Sequence, residues 1–427
     1  MSDLIISNIA LDGLLAGLAS ALVFYAFLRR ASYSLLDPLL LVGVFVPLSA
    51  AFLAVLCATR IVPWDKFLLF TIVLFGYLVG ARISTTFFRL ERFRQALNDA
   101  VASFRRGEIL TILVVTVLLT VPLAVLGLTH GASGDARQEF AREFRPLIVL
   151  QSGLLLFSVT LLLSRRFNTA QVATFMVTII ALSVPFSGKS ILLPIVYFYG
   201  LRLFATGRRP SVRVLVVMGS LALIGAALMG LIAYRAGGVL GLYGLIVGRF
   251  WASGDVYVLA YEAGGLDYIR GNYHVAFIPY MLHPFTDLVG VRAYDRPLGG
   301  MLASAVVGYD VVTGPNPQLP VLLDFFFPHS LIEPFLVALV IGFLVLALRP
   351  LALLCSRARG RFVKLGGVVA AVFCPAAGFF DASLVSISLI GVVGVTVFGT
   401  AVELLYGRRS HVASPPFPAQ TYASRSR

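Results

Sequence analysis

The chain is dominated by apolar runs long enough to cross a lipid bilayer. A spanning helix needs about 20 consecutive apolar residues, with a range of about 17–25. It must also satisfy its own backbone N–H and C=O groups, because lipid offers them no partner. Eleven runs are candidates, at roughly 4–28, 38–59, 67–81, 109–129, 146–164, 169–186, 190–206, 212–234, 328–348, 365–380 and 384–403, the third and the tenth being short. They predict an all-α polytopic membrane protein of about eleven transmembrane helices. Composition points the same way. The chain is 59% hydrophobic and 13% charged, against about 25% charged in an ordinary soluble domain. That deficit excludes a soluble enzyme, a disordered chain and a coiled coil.

The basic residues predict the orientation. Arg29 and Arg30 follow the first run, and Arg82, Arg89, Arg92, Arg94, Arg105 and Arg106 separate the third from the fourth. Arg165 and Arg166 follow the fifth, and Arg202, Arg208, Arg209 and Arg213 surround the connection after the seventh. Arg349, Arg357, Arg359, Arg361 and Lys364 follow the ninth, and Arg408, Arg409, Arg425 and Arg427 lie in the tail. With eleven spans all six regions share one side and hold most of the 34 Lys and Arg. Short cytoplasmic loops collect such residues. The N-terminus is therefore expected outside and the C-terminus inside. A cleaved signal peptide carries its positive charge before the apolar stretch; here Asp3 precedes the first run and the arginines follow it, so that run is expected to persist as a span. In a soluble protein the net charge of +14 would suit nucleic acid. Distributed over loops it suits membrane lipids instead, and no nucleic-acid partner is expected.

The predicted organisation is a block of eight spans at 1–234, a large outer loop at 235–327, three spans at 328–406 and a polar, disordered cytoplasmic tail at 407–427. A connection as long as the loop is usually functional or a small domain. It carries Arg235, Arg249, Arg270, Arg292 and Arg296, His274 and His283, and many tyrosines. Its first apolar stretch, Val239 to Val247, is too short to span and is expected to lie along the membrane surface as an interfacial helix. In RFWASGDVYVLAYE (249–262), a helix would put Asp255 and Glu262 on one face. Gly314-Pro315-Asn316-Pro317 cannot be helix interior, and Phe325 to Phe327 are expected at the interface before the ninth span.

Arginine is never deprotonated and its planar fork of donors matches phosphate oxygens. Arginines at the outer mouth of a bundle could therefore hold a pyrophosphate. Lys189, in the tight outer turn Ser187-Gly188-Lys189-Ser190, could join them. That turn looks like the end of a phosphate-binding P-loop, but the pattern needs Gly where Ser183 stands. The histidines show no pair at metal-ligand spacing. Cys57, Cys355 and Cys374 are scattered, which argues against both a metal site and a disulfide framework. No metal and no cofactor are expected.

The chain resembles the Wzy-type polymerases of bacterial surface polysaccharide (O-antigen or oligosaccharide repeat-unit polymerases). The likeness rests on the plan of many spans, one dominant late periplasmic loop, and a pair of spans joined by a tight outer turn before it. Three passages are similar to the family's: FSGKSILLPIVYFYG (186–200), RFWASGDVYVLAYE (249–262) and TGPNPQLPVLLDFF (313–326). The resemblance implies a metal-independent glycosyltransferase of GT-C-like fold in the bacterial inner membrane. It would join undecaprenyl-pyrophosphate-linked donor and acceptor glycans on the periplasmic face, in lipopolysaccharide biosynthesis, with a chain-length regulator as a candidate partner. On that reading Lys189, Arg249 and Arg270 meet the pyrophosphate, with Arg235 and Arg292 as further candidates. Asp255 and His283 are the candidate catalytic bases. Two other readings stay open: a lipid-linked oligosaccharide flippase or transporter, and an O-antigen ligase using the same donor.

Overall fold

The computed structural model describes residues 2–34, 36–43, 45–129, 140, 143–164, 166–187, 193–207, 255–273, 276–281, 298–308, 318–379 and 382–406. Among the described residues every element is helical. Six stretches are long and apolar enough to cross a membrane: Leu11–Leu28, Pro38–Ala58, Trp64–Ser84, Arg106–Thr129, Ile332–Cys355 and Val385–Leu405. The run at 212–234 and the tail 407–427 lie outside the described residues.

In chain order the helices are α1 (Ser2–Leu28), α2 (Pro38–Gly43), α3 (Phe45–Ala58), α4 (Trp64–Ser84), α5 (Leu90–Ala102), α6 (Arg106–Thr129), α7 (Arg145–Leu161), α8 (Thr169–Ser187) and α9 (Leu193–Thr206). From the large loop come α10 (Gly265–Asn272), α11 (Leu298–Val307) and α12 (Leu319–Phe326). Last are α13 (Ile332–Cys355), α14 (Arg361–Phe373) and α15 (Ala382–Tyr406). A single turn at Asp255–Tyr257 runs into a π-helical turn, Val258–Glu262.

The centre of the molecule is the pair α4 and α13. In lipid, helices gain little from burying apolar surface, so close association depends on small residues that let backbones approach. Gly76 and Gly80, one helical turn apart, supply that surface on α4. A Cβ on Gly76 would stand 2.6 Å from the Phe335 carbonyl oxygen, and one on Gly80 would collide with that of Leu339. Gly342 of α13 meets the Tyr77 carbonyl in the same way. Because residue 76 faces 335 and 80 faces 339, the two helices run parallel. Helices α6 and α7 instead run antiparallel, tied by Thr116 Oγ1 to Ser158 Oγ at 2.8 Å and by Gln151 Nε2 donating to Thr120 Oγ1 at 3.2 Å.

These directions define two ends. At the arginine-rich end lies α5, which buries Phe93, Ala96, Leu97, Ala100 and Val101 at helical spacing and carries its charges on the other side. There Arg361 ties three helices together. Its Nη1 donates to both oxygens of Glu108 at 2.8 Å and its Nε to Glu403 at 3.0 Å. The opposite end carries the N-terminus of α4 and the described part of the large loop.

Three local expectations change. The ninth span runs 332–355 rather than 328–348, so Arg349 is a buried helix residue and not a loop charge. The segment before it is a buried helix, α12, rather than an interfacial aromatic belt: Leu319 to Phe325 are all buried. Pro320 sits in its first turn, where a missing N–H costs nothing. The α-helical spacing that would align Asp255 with Glu262 also fails. The backbone widens at Val258, and the Ala263 N–H bonds to the Val258 carbonyl, five residues back.

Candidate functional site

At the end opposite the arginines, one buried carboxylate gathers groups from three separate parts of the chain. Asp324 lies in α12, and its side chain is 4% exposed. A buried carboxylate needs charge or hydrogen-bond partners to remain ionised, and it has them. Lys66 Nζ lies 3.2 and 3.1 Å from its two oxygens. The buried Tyr261 phenol is close enough to feel its charge. Arg270 Nη2 stands 4.0 Å from Oδ1.

Each partner is positioned by its helix. Lys66 is in the first turn of α4, the positive end of a helix dipole and an unfavourable place for a cation. Asp324 and the exposed Asp65, 3.6 Å away, offset that. Lys66 also sits 5.2 Å from the centre of the Tyr261 ring, which adds a cation–π contact. Arg270 comes from α10. Gly264, at φ +67°, turns the chain from the π-helical turn into α10, a backbone shape that suits glycine. Arg270 thereby reaches the carboxylate that holds Lys66, whose ammonium lies over the Tyr261 ring. Arg270 Nε donates to the Phe325 carbonyl at 3.2 Å, Nη2 to that of Asp324, and Nη1 to the exposed Asp267 at 3.0 Å.

Beside this cluster runs a buried polar chain. Tyr257 donates to Gln318 Oε1 at 2.8 Å, and Gln318 Nε2 donates to Ser49 Oγ at 2.9 Å. Burial pushes the phenol of Tyr257 well above its ordinary range. Burial does the same to Tyr261, with the Asp324 carboxylate adding to the effect. Both therefore stay protonated and donate at any physiological pH.

Lys66 and Arg270 are 22% and 27% exposed. The carboxylate is enclosed while both cations keep an open face. Arg270 meets solvent on its Asp267 side, and an exposed i,i+3 ion pair is weak enough for another anion to displace. On another face of α4, a groove of about 680 Å³ runs between α1, α3 and α4, lined by Ala16, Ala19, Trp64, Phe67 and Thr71 with Asp12 as its one acid.

Of the residues singled out from sequence, Arg270 is the one whose side chain is described. Asp255 opens the turn before the π-helical segment, and its side chain is outside the described set. Lys189, Arg235, Arg249, His283 and Arg292 also lie outside the described residues. Lys66, Tyr261 and Asp324 were not anticipated. The available signal was Asp324 itself, an acid inside the apolar run LPVLLDFFF, where a charge requires a partner.

No family model, no curated protein and no solved structure matches the chain.

Proposed function

We propose that the chain is a membrane glycosyltransferase that polymerises undecaprenyl-pyrophosphate-linked repeat units, as its resemblance to the Wzy-type polymerases implies. It would sit in the bacterial inner membrane with eleven spans, a GT-C-like arrangement, the N-terminus outside and the C-terminus inside. The observation that carries this reading is the pair Lys66 and Arg270. Both are anchored on a buried carboxylate, both are partly open, and they lie at the end opposite the arginine-rich side. That is where a lipid-borne diphosphate would be met in the periplasm.

The chemistry asks little of the protein. A hydroxyl oxygen of the acceptor glycan attacks the anomeric carbon of the donor. The bond from that carbon to the pyrophosphate oxygen breaks, and undecaprenyl pyrophosphate leaves with the electron pair. Its negative charge needs preorganised donors, and Lys66 and Arg270 would share that role with Lys189 and Arg249, and with Arg235 and Arg292 beside them. The acceptor proton passes to Asp255 or His283. The groove between α1, α3 and α4, lined by Trp64 and Phe67 at its α4 wall, would give the isoprenoid an apolar surface. Asp324 holds the two cations and does not touch substrate.

The test is the length of the surface glycan on a gel, from cells whose own copy is replaced by K66Q or R270Q. The expected result is single repeats on the lipid core at normal protein level. A wild-type ladder from both variants removes them from the site, and complete absence of glycan on the core favours the ligase reading.

A further inference from the structure

At the arginine-rich end, two helical stripes face each other across a groove of about 890 Å³. One stripe is Arg92, Gln95, Ala96 and Asp99 of α5, positions that share a helix face. The other runs along α13 through Leu344, Ala347, Leu348, Leu351 and Leu354 and ends on Ser356 and Arg357. Pro350 interrupts the α13 ladder beside it. Leu344, Leu351 and Leu354 are exposed, so the wall is apolar and open along its length.

The charges of the groove are Arg92 and Asp99 on α5 and Arg357 just past the end of α13. Arg92 and Arg357 are exposed, and among the described residues neither joins an ion pair. Arg94, by contrast, is committed to Glu91, and Arg361 to Glu108 and Glu403. Asp99 is the one acid of the groove. Two free cations above a leucine-lined trough match a molecule with an anionic head and an apolar tail.

We propose that this groove holds one anionic phospholipid of the bilayer. Its phosphate bridges Arg92 and Arg357, and an acyl chain lies along Leu344, Leu351 and Leu354. The site is separate from the Lys66 cluster and does not depend on the glycosyltransferase reading. Amphipathic α5 buries its apolar face on the neighbouring helices, so the lipid would fasten it to α13.

The experiment uses the purified full chain in vesicles of phosphatidylcholine containing a few per cent phosphatidylglycerol, with the bound lipid counted by native mass spectrometry after gentle detergent release. The wild-type chain is expected to retain one phosphatidylglycerol in preference to phosphatidylcholine. A basic residue near an anionic surface contributes about 1 kcal/mol, so the double variant R92Q/R357Q is expected to lose about 30-fold in affinity. Removing the acid, D99N, is expected to tighten binding about 5-fold. That gain guards against misfolding, since a damaged protein does not bind more tightly. Equal retention of the two lipids, or no change in the double variant, overturns the proposal. So does inorganic phosphate displacing the lipid at equal concentration, which would make the site one for a free anion.

Discussion

Two of the acid–cation clusters among the described residues are built for contrasting tasks. Asp37 and Arg349 are 0% and 1% exposed, with Nη2 to Oδ1 at 2.7 Å. Asp37 also accepts the N–H groups of Leu39 at 2.9 Å and Tyr33 at 3.0 Å, and Arg349 donates to the Ala31 carbonyl. It caps α2 in the manner of an N-cap aspartate followed by proline and fastens the α1–α2 connection to α13. Nothing is left to offer a ligand. The Asp324 cluster hides its carboxylate equally well but leaves Lys66 and Arg270 with open faces. Enclosing both charges makes a fastener, whereas enclosing only the anion presents positive charge to whatever arrives.

The largest expected effect lies on the enclosed side. R349M strands the Asp37 carboxylate without its partner and is expected to cost about 3–5 kcal/mol in thermal unfolding in detergent. Arg349 Nε is buried with no hydrogen-bond partner, so the ion pair is not the best filling of its space. The double variant D37N/R349M is expected to recover most of the loss. On the open side, K66Q and R270Q are each expected to lower the rate of glycan extension about 10²-fold, with a smaller cost in unfolding than R349M because Asp324 keeps its other cation. Equal stability costs at the two clusters would break the distinction between them.

A further substitution probes the α4–α13 contact that joins the two clusters' helices. G80A puts a methyl against the Leu339 carbonyl and is expected to cost about 1–3 kcal/mol as overpacking. G107A, where a Cβ meets nothing within 4 Å, serves as its control. A further effect is confined to alkali. The folded chain keeps Tyr257 and Tyr261 protonated above the ordinary phenol range, while the unfolded chain ionises them near pH 10. Their contribution to stability is therefore complete below about pH 10 and falls as pH rises toward the folded values, by up to about 1.4 kcal/mol per pH unit per group. Y257F/Y261F is expected to flatten that decline in unfolding measured from pH 9 to 12.

The apolar runs made much of the helical frame legible: α1, α6 and α15 lie close to where run length places them. Arg270 was legible as an anion-binding candidate from its chemistry in the loop. The clusters were not. Lys66 and Asp324 are 258 positions apart, and Asp37 and Arg349 are 312 apart, so no local spacing announces either pair. Arg349 looked like a loop charge because an arginine ends the apolar run; its burial depends on Asp37, which the run cannot show. Asp324 was hidden among phenylalanines whose pattern suits an interface as well as a buried helix. The π-helical turn at 258–262 was beyond reach because periodicity presupposes one pitch.

The most direct measurement is extension of a purified lipid-linked repeat unit by the purified chain in vesicles, with no nucleotide sugar, no added metal and no ion gradient. Glycans of several repeats and free undecaprenyl pyrophosphate are expected from the wild-type chain, and neither from K66Q or R270Q that still unfolds cooperatively. Transfer of the lipid-linked unit across the vesicle wall without any extension, or extension untouched in both variants, would contradict the account.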